Sequence, residues 1–376
     1  MPDTSKSLTL SPVATPVDGT AAEEPAAFVP AGPVVAASGV TFRFQDGSGA
    51  LDAVTLVQEV AWPRSGPALA NVGGGVWEVE FERPPVDRME YRFETVSGGD
   101  RRLLLDPANP LTAPGAFGDR SVIEFPEYVA PAWLSVEAPA GQVQELDLPS
   151  SILGADQPTL LWSAIGSDPS TPLPLLVALD GLEFARFSQL LRMLDVQVSQ
   201  GELPPMRALL MHPVRRDQDY TASPEFAAAL ATEIVPQLAE AVAIPEERQF
   251  RVGLGASLGG LAMMHAHREQ PDLFGALFLQ SSSFLHSGDL GAAPLQRVQA
   301  FVNEVLVAGA WRSPIPIVMT CGTVEQNLSN NRDTVAVLCE QGYPAELYVN
   351  LDAHNWIGWR DAWTPHLVGL LREVWQ

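Results

Sequence analysis

Phe250-Arg-Val-Gly-Leu-Gly255-Ala-Ser257-Leu-Gly259-Gly260-Leu-Ala-Met-Met-His-Ala-His-Arg268 reads as a strand, a glycine-rich turn and a helix in immediate succession. The turn carries the pattern G-x-S-x-G at Gly255–Gly259. So tight a strand-to-helix turn strains the serine backbone, and a side chain two residues to either side would collide with neighbouring elements. Ser257 would stand at the helix N-terminus, where amides and dipole favour developing negative charge. This is the place of the nucleophile in an α/β-hydrolase sheet. A glycine-rich turn without chemistry would fit the bare pattern, but the flanking strand and helix favour the nucleophile.

Around this stretch, strands alternate with helices. Leu160–Ile165 and Leu173–Leu179 are nearly continuous apolar runs, as for strands covered on both faces. Further strands are expected at Arg207–Met211, Ala276–Gln280, Pro316–Thr320 and Glu346–Leu351. Helices are expected at Phe184–Gln200, Glu225–Val242, Leu295–Val307, Arg332–Gln341 and Trp363–Trp375. Residues 143–376 thus read as one α/β catalytic domain with a mostly parallel sheet. Upstream, short alternating runs such as Val76-Trp-Glu-Val-Glu-Phe81 and Tyr91-Arg-Phe-Glu-Thr-Val96, separated by glycine turns, predict a small all-β, Ig-like sandwich over 34–110. A proline-rich linker is expected over 111–142, and a disordered leader over 1–33.

Composition narrows the function. The net charge of −23, from 45 acids against 22 bases, argues against nucleic acid and anionic membrane surfaces as partners. Lys6 is the sole lysine, so arginines must supply any anion recognition. Two cysteines, Cys321 and Cys339, offer no disulfide framework or cysteine metal site, and no cofactor or metal is expected. No apolar run approaches the ~18 residues of a membrane span, and no signal-peptide core precedes the sandwich. The cytoplasm is the default location, and the sequence leaves the oligomeric state open.

In this fold the triad follows in the order serine, acid, histidine. Of six histidines, His265 and His267 lie on the helix after the elbow, His212 and His286 precede the acid, and His366 falls in a terminal helix. His354, on the loop after the last strand, can swing over the sheet edge toward Ser257. Glu325 is the carboxylate just past the penultimate strand, placed to fix the imidazole tautomer. Asp352 is its rival, two residues from His354, although so short a loop makes its approach to the ring awkward. The oxyanion hole needs two backbone donors. Leu258 is one, and the other comes from Asp180-Gly181-Leu182-Glu183, with Gly181 the candidate to within a residue.

At these residues the chain resembles the enterochelin esterase family, ferric-siderophore esterases of the esterase-D type. The resemblance rests on Leu179-Asp180-Gly181, Arg216-Asp-Gln-Asp219-Tyr220, Gly255-Ala-Ser-Leu-Gly-Gly260 and Asp352-Ala-His354-Asn-Trp-Ile-Gly-Trp359-Arg360, together with the Trp77 and Tyr91 strands and Asp106-Pro-Ala-Asn-Pro110. It covers about residues 34–376. It implies hydrolysis of ester bonds in a catecholate siderophore, with release of its iron, the small-molecule ester being the partner. The family's arginine falls on Arg216, while Asp219-Tyr220 replaces the family's Glu-Leu. A trianionic aromatic ligand calls for guanidinium groups and flat side chains. Arg215, Arg216 and Arg360 with Trp356, Trp359 and Trp363 are the candidates, Asp180 joining Arg216, Trp356 and Arg360 as expected substrate-binding residues. The tryptophans' helical spacing also suits a packed helix face, and Arg215 and Arg216 also suit pairing with Asp217 and Asp219. Two other readings stand beside this one. The same machinery would serve another acyl ester or an acyl transfer, with the sandwich as a carbohydrate-binding accessory. A non-catalytic hydrolase-like binding protein has no need of all three triad residues.

Overall fold

The structure, a computed structural model, describes residues 32–285 and 293–376. The expected leader lies outside them save for its last two residues, and so does His286. The N-terminal part holds β1 (Val34–Ala36), β2 (Gly39–Gln45), β3 (Ala53–Gln58), β4 (Ser65–Ala68), β5 (Ala70–Gly73), β6 (Val76–Glu82), β7 (Arg88–Ser97), β8 (Asp100–Leu104), β9 (Thr112–Ala113) and β10 (Arg120–Glu124). One sheet has the order β1-β2-β6-β5, and the second β4-β3-β7-β10-β9 with β8 also paired to β7. Their inner faces meet in one buried cluster, Phe42, Val54, Leu56, Trp77, Met89, Tyr91, Phe93 and Phe125 among its members. Each such side chain contributes roughly 1.5–3 kcal/mol on leaving water. The alternation in β3, one residue buried and the next half-exposed, is the period of 2 read in the sequence.

The sandwich does not stop at residue 110. Beyond Asp106-Pro-Ala-Asn-Pro110 the chain returns as β10, antiparallel to β7 along Ser121–Glu124. The expected linker 111–142 therefore contains two paired strands. The prolines end β8's run without ending the sheet.

The remaining strands are β11 (Gln142–Ser150), β12 (Ala155–Ser163), β13 (Leu175–Ala178), β14 (Arg207–Met211), β15 (Arg251–Ala256), β16 (Ala276–Gln280), β17 (Ile317–Gly322) and β18 (Ala345–Asn350). They form a single sheet of order β11-β12-β14-β13-β15-β16-β17-β18. From β14 onward the pairs are parallel, and β11 and β12 are antiparallel. The helices are α1 (Gly181–Ser188), α2 (Leu190–Ser199), α3 (Arg216–Asp219), α4 (Pro224–Ala229), α5 (Val235–Ala241), α6 (Leu258–Glu269), α7 (Ala293–Val307), α8 (Leu328–Glu340), α9 (Trp356–Asp361) and α10 (Val368–Trp375). This is an α/β-hydrolase sheet preceded by an all-β region. β13 shows why its strands read as unbroken apolar runs. Leu175, Val177 and Leu179 enter the core shared with α4 and α6, while Leu176 and Ala178 enter the core on the opposite face, shared with α1, α2 and α10.

Three expected helices are broken. In Trp363–Trp375 the backbone of Thr364 is extended (φ −113°, ψ 116°) ahead of Pro365, and α10 begins only at Val368. Phe184–Gln200 divides at Gln189, whose left-handed backbone (φ 58°) separates α1 from α2. Glu225–Val242 contains a wider turn over Leu230–Ile234 just before Pro236, whose missing N–H an unbroken α-helix could not use.

Candidate active site

Ser257 sits between β15 and α6 with φ 56° and ψ −122°, a strained conformation for a residue bearing a Cβ. Its amide donates to the Gln280 carbonyl at 2.8 Å, and its carbonyl accepts from the Ser283 amide at 3.1 Å. Its hydroxyl lies 3.3 Å from Ser283 Oγ. The glycines of the elbow are not equivalent. A Cβ on Gly255 would overlap the backbone of Gly259, and one on Gly260 would overlap the Ser282 side chain. At Gly259 the nearest atoms, Asp180 Oδ2 and Leu179 Cβ, stand at an ordinary 3.5 Å. The close approach read from the pattern thus holds at Gly255 and not at Gly259; Gly260, outside the pattern, is the tight one on the helix side.

The loops after β17 and β18 bring the acid and the histidine together. His354 Nδ1 lies 2.7 Å from Glu325 Oε2. Glu325 Oε1 accepts from the Gly322 amide at 2.6 Å and from Ser281 Oγ at 2.6 Å. Ser281 in turn accepts from Trp359 Nε1 at 2.9 Å, and its left-handed backbone (φ 48°) aims it there. The Glu325 side chain is 2% exposed and that of His354 30%, so the carboxylate is sequestered while the ring reaches solvent. Trp359 packs edge-on to the His354 ring at 5.0 Å. The rival acid, Asp352, faces the other way. Its carboxyl accepts from the Ala353 amide and from Asn355 Nδ2 and approaches Arg88, not the imidazole. Burial pushes it up to about 7.

Ser257 and His354 line one cavity of about 400 Å³. Its walls include Asp180, Arg216, Trp356 and Trp359 from the sequence candidates. Glu59, Arg64, Glu90, Arg120 and the Gly115–Gly118 turn supply the wall from the all-β region. Composition gave no signal for that wall, because those residues lie at strand ends and turns distant in sequence. His212, set aside as a base, lines it as well and lies 2.8 Å from Glu183.

The expected binding residues divide. Arg216 makes a forked contact with Asp180, Nε to Oδ1 at 2.9 Å and Nη2 to Oδ2 at 2.6 Å, not with Asp217. Arg215 pairs with Asp219 at 3.3 Å. Arg360 is turned away from the cavity: it is buried, with Nε on Asp361 at 2.7 Å and Nη2 on the Tyr128 hydroxyl at 3.0 Å. Its place on α9, read as facing substrate, instead faces the segment after β10. Trp363 is fully buried and donates to Gln280 Oε1 at 3.0 Å; it shares the core with Trp359 but, unlike Trp356 and Trp359, does not line the cavity. Packing also holds position 181 to glycine. A Cβ there would strike the Leu210 backbone on β14, and the neighbouring Asp180 (φ 52°) forms the cavity wall. Leu258 occupies the first position of α6, where an amide has no acceptor within its own helix.

The chain is similar to several esterases. Over 272 residues it is 26% identical to an iron(III) enterobactin esterase of Dickeya dadantii, covering 67% of this chain and 62% of that one. A second, from Escherichia coli O6:H1, is 27% identical over 256 residues, 61% of this chain and 62% of the relative. The chain thus spans somewhat under two thirds of the length of these relatives. The enterobactin esterase of Shigella flexneri solved in the presence of enterobactin superposes with a TM-score of 0.72 at 21% identity, covering 92% of this chain and 96% of that one. Among the described residues no helix is long and apolar enough to cross a membrane. A family profile described as "Putative esterase" matches residues 164–358, more than half of the sequence, and the chain belongs to that esterase family.

Proposed function

We propose that the protein is a serine carboxylic-ester hydrolase that cleaves ester bonds of a catecholate siderophore through an acyl-enzyme. The observation that carries the reading is the placement of Ser257 and the Glu325-bound His354 on one cavity. Ser257 attacks the ester carbonyl, and His354 takes its proton and returns it to the leaving alkoxide. Glu325, held by Ser281 and Gly322, keeps the Nδ1 tautomer and steadies the imidazolium. The oxyanion is received by the amide of Leu258 and by one from the Asp180–Gly181 turn. Water then resolves the acyl-enzyme.

The substrate class rests on the relatives named iron(III) enterobactin esterase and on the cavity's chemistry. Trp356, Trp359 and the exposed Phe117 offer aromatic faces. Arg120 and Arg216 are already paired with carboxylates. Arg64 lines the cavity as well, with no close side-chain hydrogen bond or ion pair among the described residues, and its guanidinium, which acts on the Glu59 carboxyl only at longer range, is placed to meet an anionic ligand. Iron would arrive with the substrate, and the cytoplasm would be the place of release. The test is turnover of a ferric catecholate lactone against aryl and sugar esters by the wild type and Ser257→Ala. Preferential, Ser257-dependent cleavage of the lactone is expected; cleavage of sugar or aryl esters alone would overturn the substrate class.

A further inference from the structure

The loop that carries His354 is built into the core of the N-terminal β region. Ala353 is buried in the cluster that contains Val86, Met89, Phe93 and Phe125, and Val324, next to Glu325, packs against it. The Asp87 amide donates to the Leu351 carbonyl at 2.8 Å. Both residues read as acid and base are therefore adjacent in sequence to side chains held by the sandwich.

One cation crosses this junction. Arg88, on β7, has a side chain only 3% exposed. Its Nη2 donates to Glu90 Oε1 at 2.8 Å, while Nη1 stands 3.5 Å from Asn355 Oδ1 and 3.9 Å from Asp352 Oδ2. Asp352 and Asn355 bracket His354 and lock each other. Asp352 Oδ1 accepts from Asn355 Nδ2 at 2.8 Å and from the Ala353 amide at 2.7 Å, and Asn355 Oδ1 caps α9 through the Gly358 amide at 2.8 Å. On its other side Glu90 lies 3.8 Å from Arg120, which pairs with Glu59 at 2.6 Å, and these three line the cavity. A methionine would fill the same space without desolvating a charge. What the guanidinium adds is a donor directed at Asn355 Oδ1, just after His354, and a charge 3.9 Å from Asp352, two residues before it.

We propose that Arg88 is a positioning residue for His354: from the β region it holds Asp352 and Asn355, and through them sets where the imidazole stands relative to Glu325 and Ser257. The proposal rests on the reading of His354 as the base. Glu90, the nearer partner, holds Arg88 charged, and the longer approach to Asp352 does not offset that carboxyl's burial. The β region is then part of the catalytic scaffold as well as a wall for substrate.

The experiment compares the full-length wild type with Arg88→Met and Arg88→Lys. Near-ultraviolet circular dichroism and thermal melts establish folding. Steady-state hydrolysis of an aryl acetate gives kcat and KM, and a fluorophosphonate probe gives the labelling rate at Ser257. Arg88→Met, folded, is expected to lose about 10- to 100-fold in kcat and in labelling rate, as for a misplacement of about an ångström. KM should change less than about twofold, since no substrate contact is removed. Arg88→Lys, with charge but no fork, should recover part of kcat. Wild-type kcat in folded Arg88→Met would overturn the proposal. Should Arg88→Met fail to fold, Arg88→Lys decides: a severalfold loss in kcat at constant KM supports it and an unchanged kcat overturns it. Absence of label at Ser257 in the wild type would overturn the esterase reading as well, whereas label there with wild-type kcat in the variants overturns this inference alone.

Discussion

His354 Nδ1 and Glu325 Oε2 lie 2.7 Å apart across loops that follow neighbouring parallel strands, β17 and β18. The carboxylate has no freedom to choose another partner, because Ser281 and Gly322 occupy its second oxygen. Glu325→Gln should leave the fold intact and lower kcat by on the order of 10³–10⁴-fold, the cost of losing the correct tautomer and the carboxylate. Ser281→Ala should lose roughly tenfold, as for one charge-assisted hydrogen bond worth about 1.5–3 kcal/mol, only part of which reaches the transition state. Steady-state kinetics on one ester checks both.

The elbow glycines should separate in stability. Gly255→Ala forces a Cβ into backbone and should cost the most, about 2–3 kcal/mol. Gly260→Ala meets a serine side chain that can rotate and should cost less, about 1–2 kcal/mol. Gly259→Ala has ordinary contacts and should melt within a few degrees of the wild type. Thermal denaturation of the three variants reads the order directly.

Much of this was legible in the sequence, for identifiable reasons. β14 and β16 fall at the residues expected, because buried parallel strands are unbroken apolar runs bounded by turns. The elbow, the His354 loop and the Glu325 loop follow from local pattern and chain order. What periodicity could not supply is which distant group a side chain meets. Arg216 has acids one and three residues away, yet it pairs with Asp180, 36 residues upstream. Arg360 looked available because Tyr128, 232 residues upstream, is brought to it only by the fold, although its other partner, Asp361, is its neighbour in sequence. β10 was hidden by the prolines before it, since local composition marks the end of a strand and not the end of a sheet. An isolated segment 34–110 would lack that strand and expose the Arg88–Tyr91 part of one edge of β7, β8 still covering Phe93–Ser97.

Asp180 is buried and Arg216 is about one third exposed. Arg216→Ala should therefore destabilise by about 2 kcal/mol, discounted for that exposure, mainly by stranding the carboxylate. Arg216→Ala with Asp180→Asn should regain most of the loss. Arg216→Lys should behave more like alanine than like arginine, since a lysine cannot reproduce the fork. Urea denaturation of the four proteins tests the set.

His267 is fully buried, with neither ring nitrogen hydrogen-bonded, and burial beside Arg268 and Arg248 lowers its pKa to about 3. Between that value and the unfolded 6.5 the unfolded chain binds a proton that the native protein does not. Stability should accordingly fall as pH drops from about 6.5 toward 3. His265, lowered to about 4 by burial and Arg297, adds to the same slope. His267→Phe should flatten this acid dependence and leave neutral-pH stability nearly unchanged, as read by melts between pH 7 and 4.

Everything proposed for the site requires that Ser257 be an activated nucleophile served by His354. Treating the full-length protein with a fluorophosphonate probe and locating the adduct by peptide mass spectrometry tests it most directly. Stoichiometric label on Ser257 is expected, absent in Ser257→Ala and strongly slowed in His354→Ala. Folded protein that takes no label at Ser257, or labels equally fast without His354, would contradict it.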